Sequence, residues 1–169
     1  MHGIIHTVAQ ILSPWQSIYS NSKAVSSGIT FVHLAGLLFA GGFAVAADRA
    51  TLRAGRSTPE RRLDALNELD AVHRPVLAGL GVIFASGVLQ FSADVETFAT
   101  SPVYWTKMSL VALLLANGYV LKRTETTLRA RGGGQPHDPL WNRLRTSSIA
   151  SAILWAAIVL AGTILNSIS

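Results

Sequence analysis

The residues able to do chemistry are few. The chain has five histidines, two methionines and no cysteine. That excludes disulfides, thiolate metal sites, iron–sulfur clusters and cysteine nucleophiles, and leaves imidazole, thioether and carboxylate as metal donors. His33 is the most informative of them, because it lies inside the apolar run Val25–Ala47, roughly 12 Å from its start at a rise of about 1.5 Å per residue. A titratable side chain at that depth in hydrocarbon faces a protein interior and serves a ligand, a proton path or a cofactor. The plainer alternative is a neutral imidazole hydrogen-bonded to a neighbouring helix. Lys107 stands about 6 Å into another apolar run, with Met108 beside it, and Gln90 closes a third. His33, Gln90, Lys107 and Met108 thus fall at one level and make a candidate cofactor-binding group, with His33 as the candidate metal ligand. For Lys107 the competing reading is a long stem snorkelling to the headgroups.

The other candidates are weaker. His73 begins its apolar run at the opposite end, about 15 Å or more from His33, so the two cannot share one iron. A place at the interface beside Asp48 or Asp70 is expected for it. His2 and His6 are spaced i and i+4, a spacing able to chelate a metal, but two histidines alone do not make a site. His137 stands in a polar loop between Pro136 and Pro139, and Asn117 is placed to bridge helices. No serine nucleophile motif, no paired carboxylates within a span and no His-Glu-x-x-His run occurs. No catalytic residue is therefore nominated, and any chemistry must come with a cofactor.

The elements that position these residues follow from composition. Half of the 169 residues are hydrophobic and 14% are charged, well below the charge content of soluble domains. The net charge of +5 does not indicate nucleic acid, because the basic residues flank apolar segments instead of forming a solvated face. Four segments approach or reach the roughly 20 residues needed to cross a bilayer: 25–47, 72–91, 103–121 and 149–165. Backbone amides in hydrocarbon must pair internally, so each is expected to be a helix. Short connections then give an all-α, integral membrane, four-helix antiparallel bundle over residues 25–169. Gly28, Gly36, Ala40 and Ala44 on the first span, and Gly79, Gly81 and Gly87 on the second, allow close helix approach.

Residues 1–24 place Ile4, Ile5, Val8, Ile11, Leu12, Trp15 and Ile18 at helical intervals, predicting an interfacial amphipathic helix that rests on the membrane or on a partner. A cleaved signal peptide is not expected, since the long apolar run begins only near Val25. Ser57-Thr58-Pro59-Glu60 reads as a helix start, and Leu63, Leu66 and Leu69 follow at helical spacing, predicting a short surface helix. Gly132-Gly133-Gly134 reads as a flexible loop. Twelve of the fourteen Lys and Arg residues lie in 49–74 and 122–145, the other two being Lys23 and Lys107. By the positive-inside rule those two regions are cytoplasmic and both termini lie on the outer, periplasmic side of a cell inner membrane. Trp15, Tyr19, Tyr104 and Trp105 fit an aromatic belt on that outer side.

His33-Leu-Ala-Gly-Leu-Leu-Phe-Ala-Gly-Gly followed by Asp48-Arg49 resembles the first helix of bacterial membrane proteins related to the copper-resistance D (CopD) domain, and Ser101-Pro102-Val-Tyr-Trp105-Thr-Lys107 resembles the start of their third helix. A more distant resemblance is to the four-helix membrane protoporphyrinogen oxidases, which also pair a first-helix histidine with a third-helix lysine. What the resemblance implies is a redox or electron-transfer membrane protein that binds haem b through His33. Two further functions stay open: a cofactor-free structural or accessory subunit of a larger membrane complex, and copper handling of the CopD kind. The partners expected are the lipid bilayer and other membrane subunits, with no nucleic acid.

Overall fold

A computed structural model of the chain describes residues 2–55, 57–133, 135 and 138–168, with side chains from residue 6 to residue 165 of that set. It is helical throughout its regular elements: α1 (His2–Asn21), α2 (Lys23–Ala54), α3 (Pro59–Ala93), α4 (Val95–Thr100), α5 (Pro102–Ala130) and α6 (Pro139–Ile168). Ser22, Thr58, Asp94 and Ser101 cap the starts of α2, α3, α4 and α5, each side chain accepting from a backbone N–H of the first turn. Three helices, α2, α3 and α6, are long and apolar enough to cross a membrane, which marks a multi-pass membrane protein. The expected span 103–121 lies within α5, a long helix made less apolar by Lys107 and Asn117.

The four long helices form a ring in which α2 packs on α3 and α6, and α5 packs on α6. Neighbours run antiparallel: Gly79 of α3 faces Ala40 of α2, while Ser86 of α3 meets His33. Small residues explain the closeness of that pair. A Cβ added at Gly79 would lie 2.8 Å from that of Ala40, and one at Gly36 would lie 3.0 Å from Ile83. Gly28 and Gly81, expected to serve the same purpose, meet nothing within 4 Å. The outward surfaces carry large apolar side chains, with Leu38 79%, Phe84 74% and Phe31 71% exposed. Such faces suit lipid and not water.

The fourth side of the ring is different. Helices α3 and α5 make few contacts and are tied mainly near their ends. At the α4 end Phe91 stacks on Tyr104, centroids 5.2 Å apart, with Phe98 alongside. At the other end, where the α2–α3 and α5–α6 connections lie, Lys122 Nζ donates to Asp70 Oδ1 at 2.6 Å and Arg129 to Asp70 Oδ2 at 3.1 Å. The buried Glu125 pairs with both cations.

Three expectations are corrected here. The short surface helix expected over 59–69 is the first third of α3, which continues through Pro75 without a break. Leu66 and Leu69 are buried, not surface-facing, in a core with Leu128, Trp141 and Leu144 that extends the bundle past the membrane-length segments. That packing outweighs the hydrogen bond the proline removes. Gly132 and Gly133, expected in a flexible loop, form a built turn at the end of α5, with φ of +63° and +86°. Gly133 N–H returns to Leu128 O, and Gly133 O accepts from Trp141 Nε1. The connection 92–102, where no helix was expected, holds α4.

Helix α1 lies against α2, α3 and α4. Trp15 Nε1 donates to Leu89 O and Gln16 Nε2 to Ser92 O. Ile11 and Ile18 remain exposed, so one side of α1 is docked on the bundle and the other is free for an interface.

Candidate functional site

Every residue expected at the outer polar level lines one cavity of about 450 Å³: His33 from α2, Gln90 from α3, and Lys107 and Met108 from α5. Its remaining wall is aliphatic and aromatic, including Phe84, Phe91, Tyr104 and Trp155. The cavity sits at the parted α3–α5 seam. Exposed residues of that seam, Phe84, Val88 and Leu115, share its lining, so it opens sideways toward lipid.

His33 is buried, and its hydrogen bonds fix its tautomer. Ser86 Oγ lies 2.6 Å from Val82 O and 3.2 Å from Ile83 O, so its single proton is committed to the backbone. The 2.9 Å contact between His33 Nδ1 and Ser86 Oγ then requires Nδ1–H to donate. The neutral ring consequently carries its lone pair on Nε2, which is buried without a hydrogen-bond partner among the described residues. This is the arrangement in which a serine orients a histidine for a ligand on the other nitrogen. Ser86 was not anticipated from sequence; its signal was a hydroxyl between small residues at the depth of His33 on an antiparallel neighbour.

Lys107 is half-buried, its Nζ lying 3.6 Å from the Cβ position of Gly162 on α6. Among the described residues no carboxylate lies within ion-pairing distance of it. It therefore presents an amine donor to a cavity whose other polar lining groups are His33, Gln90 and Tyr104.

A second cavity, of about 340 Å³, continues the first toward the loop end; the two share Leu80, Leu114, Leu115 and Trp155. Asp48, His73, Asn117, Lys122 and Ser151 line it. His73 lines this cavity with Asp48, its Nδ1 3.0 Å from Leu69 O, and it shares no cavity with His33. Asn117 bridges α5 to α6 through Ser147 O at 2.8 Å, as its position predicted. His6 lines a polar cleft with Asp94 and Glu96 at the α4 end, whereas the His2 side chain and His137 lie outside the described residues. Among the described residues no group of three or more His, Asp or Glu is arranged to hold a metal ion.

No family, curated protein or solved structure matches the chain.

Proposed function

We propose that this is a four-span inner-membrane protein that binds a lipophilic redox cofactor, haem b, in the seam cavity through His33. The α2–α3 and α5–α6 connections, with their basic residues, lie in the cytoplasm, and the termini lie outside. The observation that carries this reading is the His33 imidazole: buried, oriented by Ser86, and left with an unpartnered Nε2. The residues present fit the group. Nε2 suits an iron ligand, the aromatic and aliphatic walls suit an apolar macrocycle, and Lys107 suits a propionate. Met108 and Gln90 complete the wall near the same level. Haem b, when bound, supplies one-electron transfer; the chain supplies the donor, the cation and a water-poor cavity.

The test is an absorption spectrum of the full-length protein purified in mild detergent after expression with haem supplied. A Soret band that His33→Ala removes and His73→Ala retains supports the proposal. A protein without that band under the same conditions overturns it.

The second reading is a cofactor-free subunit of a larger assembly, and one observation favours it. The α3–α5 seam is apolar and parted over its middle, which is the surface a partner helix would fill. Co-purification of a membrane partner, lost when Leu77, Phe84 or Leu115 on the seam is replaced by a bulky polar residue, identifies this case.

A further inference from the structure

The second cavity holds a carboxyl group that the haem reading does not use. Asp48 is 4% exposed, and its Oδ2 has no hydrogen-bond partner among the described residues. Ser148 and Ser151 of α6 face it. Ser148 is fully buried, and its hydroxyl has no partner other than this carboxyl. Thr51, one turn along α2, gives its hydroxyl to Ala47 O and so does not serve the carboxyl.

An ionised carboxylate buried to this degree needs a counter-charge. Among the described residues no Lys, Arg or His lies within ion-pairing distance of Asp48. The other charged and titratable groups lining the same cavity are His73 on α3 and Tyr119 and Lys122 on α5. His73 is held to Leu69 O, and Lys122 is engaged by Asp70 and Glu125. Calcium, which takes six to eight oxygens, is unsuited where one carboxylate meets two hydroxyls, and zinc, which takes three or four His, Cys or carboxylate ligands, finds no such group among the described residues. The ligand these groups do accommodate is a single proton, which removes the unpaired charge and turns the carboxyl into a donor among the hydroxyls of Ser148 and Ser151.

We infer that Asp48, with Ser148 and Ser151, forms a proton-binding site at the loop end of the bundle, filled and emptied through the cavity that runs past Asn117 and His73. Its wall meets that of the His33 cavity only at Leu80, Leu114, Leu115 and Trp155. Two polar sites therefore stand on either side of an apolar waist, and the proton site does not depend on what His33 binds.

Infrared difference spectroscopy on the full-length protein in lipid vesicles tests this. The C=O stretch of a protonated carboxyl is expected to grow as pH falls from about 8 to about 5, above the ordinary carboxyl range near 3.9. It should shift in deuterated water, disappear in Asp48→Asn and move in Ser148→Ala, which keeps the measurement decisive if Asp48→Asn does not fold. A band that first appears only in the ordinary carboxyl range overturns the proposal. So does a band unmoved by Ser148→Ala and by deuterated water. A band that sodium salts suppress where potassium salts do not identifies a sodium site, and equally overturns it. None of these readings involves the Soret region, so failure here and failure of haem binding are separate results.

Discussion

The hydroxyl of Ser86 decides which nitrogen of His33 is available. Removing it leaves a buried Nδ1–H unsatisfied, at a cost of about 1–3 kcal/mol, and frees the ring to turn. Ser86→Ala is therefore expected to lower thermal stability and, where haem is bound, to broaden or shift the Soret band without abolishing it. His33→Ala should abolish it. Titrating haem into both variants and following absorbance separates the positioning role from the ligand role. Equal behaviour of the two would mean that Ser86 does not orient the ring. The depth of His33 was legible from the apolar run around it, and so was the level shared with Lys107, Gln90 and Met108. The partner was not, because pairing depends on helix rotation, which hydropathy does not encode. Asp48 shows the same limit. It reads as a charge at the end of a span, yet it is buried because the bundle continues beyond the span.

At the scale of elements, the α2–α3 contact is set by the absence of side chains. Gly79→Ala would place a Cβ 2.8 Å from that of Ala40, forcing two helix backbones apart, whereas at Gly81 there is open space. The first substitution is expected to cost about 1–3 kcal/mol. The second should be neutral or stabilising by up to about 1 kcal/mol, from helix propensity. Thermal unfolding of both variants in one detergent checks the pair, and similar melting points would show that the close approach is not needed. The loop-end tie between α3 and α5 predicts a pH dependence. The hydrogen bond from Lys122, reinforced by its charge and that of Arg129, holds the Asp70 carboxyl below the usual carboxylate range. A depressed carboxyl contributes its stability fully above its ordinary value of about 3.9 and loses it as pH falls through the lower folded value. Melting temperature should therefore fall more steeply below about pH 4 in the native protein than in Asp70→Asn. Parallel curves would remove Asp70 from the tie.

For the molecule as a whole, the two basic connections lie at one end of the bundle and α4 at the other, the arrangement that alternating crossings produce. A single cysteine at the exposed Gln135, probed in intact cells, should resist a membrane-impermeant thiol reagent, and one at Thr97 should react. The reverse pattern would invert the protein. Hydropathy made α2, α3 and α6 legible, since length and apolarity alone suffice for them. It stopped short at the loop end. There residues 59–69 read as a separate surface helix and the span as beginning only at 72, yet contacts of Leu66 and Leu69 with Leu128, Trp141 and Leu144, distant in sequence, settled the outcome.

The sideways opening between α3 and α5 has a consequence for how affinity is measured. A guest reaching His33 by that route arrives from the hydrocarbon phase, so the relevant concentration is its mole fraction among lipids, not its molarity in the sample. Adding detergent at constant guest and protein dilutes that phase, and the tails compete for the same opening. Apparent dissociation constants should thus rise in proportion to micellar detergent. Values from different preparations become comparable only when expressed per lipid or detergent molecule.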